Sequence, residues 1–95
     1  MQSGRQTQSV KDVVTGYFES KGGLEDLSEA DKLAYKYLDN RLIDSLGIIQ
    51  MVATFESEFG IRFEPEHFES ADFTTIGGVI KLVEGMLQDP ERSVE

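Results

Sequence analysis

Apolar residues return along this chain at every third or fourth position, the spacing of helices that bury one face, and no strand-like alternation interrupts them. Val10, Val13, Val14, Tyr17 and Phe18 make the first stripe and predict a helix over about 10–20. Ser9, with Asp12 three positions on, resembles a capping box that opens it, and Gly22-Gly23 stops it. Ser28 and Asp31 repeat the capping signal. With Leu27, Ala30, Ala34, Tyr37 and Leu38 at helical spacing, they predict a short extra helix near 29–36 inside a long connection. The clearest stripe is Ile48, Met51, Val52, Phe55 and Phe59, which sets a helix over about 46–59 with Asp44 or Ser45 as N-cap and Gly60 just past its end. Pro65 suits the first position of a short helix over 65–70, with Phe68 as its inward anchor. Thr74 opens the last helix, whose stripe is Ile76, Val79, Ile80, Val83 and Leu87; Gly77-Gly78 within it mark close packing of backbones, and Asp89-Pro90 ends it. The expectation is an all-α bundle of three main helices plus a short one, over 9–88, between disordered tails at 1–8 and 89–95.

One position breaks the rule that large apolar residues face inward. On the wheel of the 46–59 helix, Leu46 falls opposite the stripe, with Gln50, Ala53 and Ser57. Burial does not explain a leucine there. Leu46, the flanking Ile49 and Ala53 form a small apolar strip, with Asp44 and Glu56 beside it, suited to contact with partner proteins. Gly47 weakens the first turn by about 1 kcal/mol relative to alanine. It reads either as a neutral surface position or as room for a partner to approach.

Charge sharpens this picture. The 95 residues carry a net charge of -9, and the excess is concentrated. Residues 1–43 hold seven acids against six bases, whereas residues 44–95 hold eleven against three. Such a field repels nucleic acid and anionic lipid and attracts proteins with basic patches. There is no cysteine, so any thiol chemistry requires a cofactor. No apolar run is long enough to span a membrane, and the first residues lack a hydrophobic signal core, which sets the expectation of a cytoplasmic monomer.

Ser45 is the residue on which these features converge. A serine at a helix start is commonly only a cap. As a catalytic nucleophile it lacks the first glycine of a G-x-S-x-G elbow and any strand framework. The single imidazole, His67 beside Glu66 on a short helix, reads as a lone surface histidine, since a base needs a geometry that the sequence does not show. Catalytic residues are therefore not expected. Nor is a metal site, because Glu64, Glu66, Glu69 and Asp72 do not follow the calcium-loop pattern.

Leu42-Ile43-Asp44-Ser45-Leu46, followed by the helical stripe and by Glu56-Ser57-Glu58-Phe59-Gly60, resembles the attachment site of acyl and peptidyl carrier proteins over about 10–87. The resemblance implies a small four-helix bundle with 4'-phosphopantetheine held covalently on Ser45, added by a phosphopantetheinyl transferase. It further implies a stand-alone carrier, not an enzyme, that holds acyl or aminoacyl groups as thioesters and presents them to loading and synthase enzymes. The family's first connection is usually irregular, so a helix near 29–36 would be a departure. Leu-Ile-Asp-Ser is closest to D-alanyl and other ligase-loaded carriers, although Arg41 replaces a glycine common there. Gly47, Gln50 and Ala53 stand where fatty-acid carriers tend to have acids or a larger apolar residue. The reading is of an adenylate-forming ligase as loader, with fatty or polyketide acyl chains as the runner-up. A carrier-like fold used unmodified, as an interaction module built on the Leu46 face, is the alternative.

Overall fold

The computed structural model of the chain describes residues 9–88, so the tails expected at 1–8 and 89–95 lie outside the described residues. Within that span α1 is Val10–Glu19, α2 Glu29–Leu33, α3 Ser45–Phe59, α4 Pro65–Glu69 and α5 Ile76–Leu87, with a 3-10 turn at Ala71–Thr74. This is the all-α bundle that the stripes predict, including the extra helix in the first connection. Its caps follow from the sequence: Ser9 Oγ accepts from the Asp12 N–H and Ser28 Oγ from the Asp31 N–H, both at 3.1 Å. Two ion pairs, Lys11 with Glu29 and Lys32 with Glu19, tie α2 to α1 across the groove between them. The hydrogen bond between Lys11 and Glu29, and secondarily their mutual charge, raises the lysine pKa and lowers the glutamate's.

α2 ends at Leu33 rather than near 36 because the chain beyond it is needed elsewhere. The Tyr35 carbonyl accepts from the Ile76 N–H at 3.2 Å, which fastens this connection to the head of α5. Two residues on, Tyr37 is turned fully into the core, where its hydroxyl donates to the Phe73 carbonyl. Continued helix would keep Tyr37 from that place.

The core gathers Val14 and Phe18 from α1, Met51 and Phe55 from α3, and Ile76, Val79, Ile80 and Val83 from α5. Connections supply the remainder: Leu24, Tyr37, Ile43, Ile61, Phe63 and Phe73. Rings knit these parts together, with Phe18 against Tyr37 at 4.8 Å and Tyr17 against Phe55 at 5.2 Å between centroids. Two expected core members are not inside. Phe68 is 43% exposed and covers Phe63 and Phe73, which are the inward anchors of this region. The reason is local: α4 has only five residues, and Ser70 redirects the chain by capping the 3-10 turn through the Asp72 N–H, so Phe73 enters first. Leu87 is the last residue of α5 and is 42% exposed. The final helix also starts one residue later than expected. Thr75 is its cap, accepting from the Gly78 N–H at 3.0 Å, while the Thr74 hydroxyl donates to the Ala71 carbonyl within the 3-10 turn.

Tyr37 gives this fold an alkaline limit. Burial pushes its pKa well above the ordinary tyrosine value. A pKa raised in the folded state gives stability that is complete below the unfolded value, about 10, and is lost as pH rises towards the folded one. Melting temperatures measured from pH 9 to 11 should therefore fall more steeply for the native protein than for Tyr37→Phe. The extra slope approaches about 1.4 kcal/mol per pH unit above pH 10. Equal slopes would mean that Tyr37 ionises without hindrance and is not buried.

Candidate functional site

The site is built where the Tyr37 connection feeds α3. The Leu42 N–H donates to the Tyr37 carbonyl at 2.9 Å and the Arg41 N–H to the Leu38 carbonyl at 3.1 Å. This is the paired bonding of a Schellman turn, with Arg41 at the left-handed position, φ 61°. The Ile43 N–H also reaches the Tyr37 carbonyl, at 3.4 Å, and the Ile43 side chain is buried. The turn thus hangs from the most deeply anchored residue of the connection and delivers Asp44 and Ser45 to a fixed place.

Asp44, not Ser45, is the N-cap of α3, its Oδ1 accepting from the Gly47 N–H at 2.8 Å. Ser45 is the first helical residue. It is exposed, and its hydroxyl makes no hydrogen bond among the described residues. The duller account of this serine, that it caps the helix, is therefore met by its neighbour.

Gly47 has a role that neither sequence reading foresaw. A Cβ there would lie 2.7 Å from Ile43 Cγ2 and 3.3 Å from Asp44 Oδ1. Its missing side chain lets Ile43 tuck beneath the first turn while Asp44 caps it. The left-handed backbone of Arg41 was equally hidden, since such a conformation costs a residue with a Cβ about 1–2 kcal/mol and normally goes to glycine.

Beyond the serine, α3 divides as the wheel requires. Met51 and Phe55 are buried, with Ile48, Val52 and Phe59 packed against the core. On the other side Leu46 is 65% and Ile49 66% exposed, and Ala53 and Asp44 are exposed with them. Glu56 is placed differently from the freely exposed acid that the sequence suggested. It is half-buried, and its Oε2 accepts from the Phe63 N–H at 2.9 Å, bracing the chain that leaves α3 through Gly60. His67 is likewise engaged locally, its Nδ1 accepting from the Glu64 N–H at 2.7 Å at the head of α4. Among the described residues no group of three or more His, Cys, Asp or Glu is placed to hold a metal ion, and no helix is long and apolar enough to cross a membrane.

The chemistry available here is that of an accessible primary hydroxyl at the start of a fifteen-residue helix. An anionic ester on that oxygen would lie beside the free N–H groups of the first turn, a placement worth about 0.3–1 kcal/mol. The donor set thus fits a phosphodiester-linked group. Residues 43–83 match the family model described as phosphopantetheine attachment site, whose members hold 4'-phosphopantetheine covalently on a serine and act as carriers. No curated protein and no solved structure matches the chain. The matched segment runs from Ile43 through α3 to Val83 in α5, so it contains both the exposed serine and the helices that frame it. Residues 43–83 therefore belong to the phosphopantetheine-attachment family, that of the acyl and peptidyl carrier proteins.

Proposed function

We propose that Ser45 carries the 4'-phosphopantetheine arm and that the chain works in the cytoplasm, holding acyl or aminoacyl groups as thioesters without catalysing their chemistry. One observation carries the reading. Within the matched segment Ser45 stands exposed at the head of α3 with its hydroxyl unengaged, because Asp44 does the capping. A transferase joins the hydroxyl oxygen to the β-phosphorus of coenzyme A, breaking the pyrophosphate link and releasing adenosine 3',5'-bisphosphate. The arm's terminal thiol supplies what a chain without cysteine lacks. A thioester on that arm meets a docked enzyme as an intramolecular partner, so weak docking suffices and handover stays easy.

Partners dock on the strip of Leu46, Ile49 and Ala53, with basic side chains meeting Asp44 and the outer face of Glu56. Replacing Leu46 with alanine should lower turnover by transferase and loading enzyme at least several-fold. Stability should change by less than about 0.5 kcal/mol, since no core contact is removed. A loss of several kcal/mol in the thermal melt would place Leu46 inside instead.

The loader we propose is an adenylate-forming ligase, supported by Leu42-Ile43-Asp44-Ser45 and by the absence of acids at Gly47, Gln50 and Ala53. The pantetheinylated protein is offered to a malonyl transferase of fatty acid synthesis and to the adenylating ligase encoded nearest its gene. Hydroxylamine-labile loading should come from the ligase alone. Malonyl loading instead would move the chain to fatty or polyketide synthesis, whereas a native protein that never accepts the arm would favour the unmodified interaction module.

A further inference from the structure

We propose that Arg41 is a positioning residue for the arm, its guanidinium holding the phosphodiester on Ser45 against the head of α3. The inference rests on the attachment reading above and adds how the phosphate is held.

Arg41 is the one non-glycine residue at positive φ among the described residues. It occupies the turn position where a glycine would sit without strain, so a long charged side chain is present at the point where the backbone favours having none. The guanidinium is exposed and makes no ion pair among the described residues. Lys11 and Lys32 are by contrast paired with glutamates, and Lys21 lies over the ring of Tyr17 at 4.8 Å. Lys36, Arg62 and Lys81 share with Arg41 the lack of an ion pair among the described residues but stand farther from Ser45 in sequence.

The electrostatics of the site favour such a cation. A phosphodiester on Ser45 adds negative charge directly beside the Asp44 carboxylate, in the half of the chain where acids outnumber bases eleven to three. The N–H of Gly47 is already taken by Asp44. Arg41 is the nearest base in sequence, the next being Lys36 on one side and Arg62 on the other. Four residues of chain span at most about 14 Å, within the combined reach of an arginine side chain and a seryl phosphate. A planar guanidinium also matches phosphate oxygens through two parallel N–H bonds, which an ammonium does not.

The test compares native protein with Arg41→Gln and Arg41→Lys, both of which keep a side chain at the strained position, before and after pantetheinylation. Intact mass establishes that the arm is present. The readouts are the phosphorus-31 resonance of the arm and the Nε–H resonance of Arg41. On modification the Nε–H signal should shift and exchange more slowly with water. The phosphorus signal of Arg41→Gln should be displaced from native, with Arg41→Lys between them, and the differences should shrink as salt is raised. A normal arm with the same phosphorus shift in all three proteins, and an unmoved Nε–H, would overturn this proposal alone. Failure of native protein to accept an arm at all would overturn the attachment reading with it.

Discussion

Gly78→Ala should leave the domain without a cooperative thermal transition above ambient temperature. A Cβ at Gly78 would lie 1.9 Å from the Asp72 carbonyl oxygen and 2.5 Å from its carbon, contacts with backbone that no rotamer change relieves. The 3-10 turn would have to move off the start of α5, opening the region where the Tyr37 hydroxyl meets the Phe73 carbonyl. Overpacking of this kind costs about 3 kcal/mol or more when backbone must shift, against a total of about 5–15 kcal/mol with small domains at the low end. Gly85 is the control. Nothing lies within 4 Å of a Cβ there, so Gly85→Ala should raise stability by about 0.5–1 kcal/mol. Equal melting temperatures for Gly78→Ala and native protein would show that α5 and the turn do not approach as described.

Ser45→Ala should abolish arm addition while leaving the fold untouched. The side chain is exposed and unbonded, and alanine is the best helix former, so stability should stay within about 0.5 kcal/mol of native. Asp44→Ala separates capping from attachment: it should cost about 1 kcal/mol by freeing the Gly47 N–H, yet still accept the arm. If Ser45→Ala instead melted early and Asp44→Ala did not, the two residues would have exchanged roles.

Periodicity was enough to find α1, α3 and α5, because each buries one face and the stripes record that. α2 and α4, which bury no residue fully, were marked instead by the Ser28 cap and by Pro65, and the 3-10 turn was not foreseen. The serine was legible for a related reason: Leu46 breaks the stripe of α3, and a violation of the burial pattern is visible in one sequence. What stayed hidden depends on contacts between distant parts of the chain. α2 stops early because the Tyr35 carbonyl and Tyr37 hydroxyl bond to residues some forty positions away, which no local spacing encodes. Phe68 and Phe73 look equally apolar, and only the turn at Ser70 decides which goes inside. Arg41 could not be recognised as left-handed, since the residue that usually reveals that conformation is glycine. Glu56 looked like a free surface acid, because the N–H it accepts from belongs to a strand-free connection seven residues on.

The central claim is that Ser45 holds the arm, and peptide-level mass spectrometry after reaction with coenzyme A and a broad-specificity transferase tests it most directly. One phosphopantetheine should be found per chain, on the peptide containing Leu42 to Gly47, with fragment ions placing it on Ser45 and leaving Ser57 and Ser70 unmodified. An unmodified protein, or an arm on any other serine, would contradict the account.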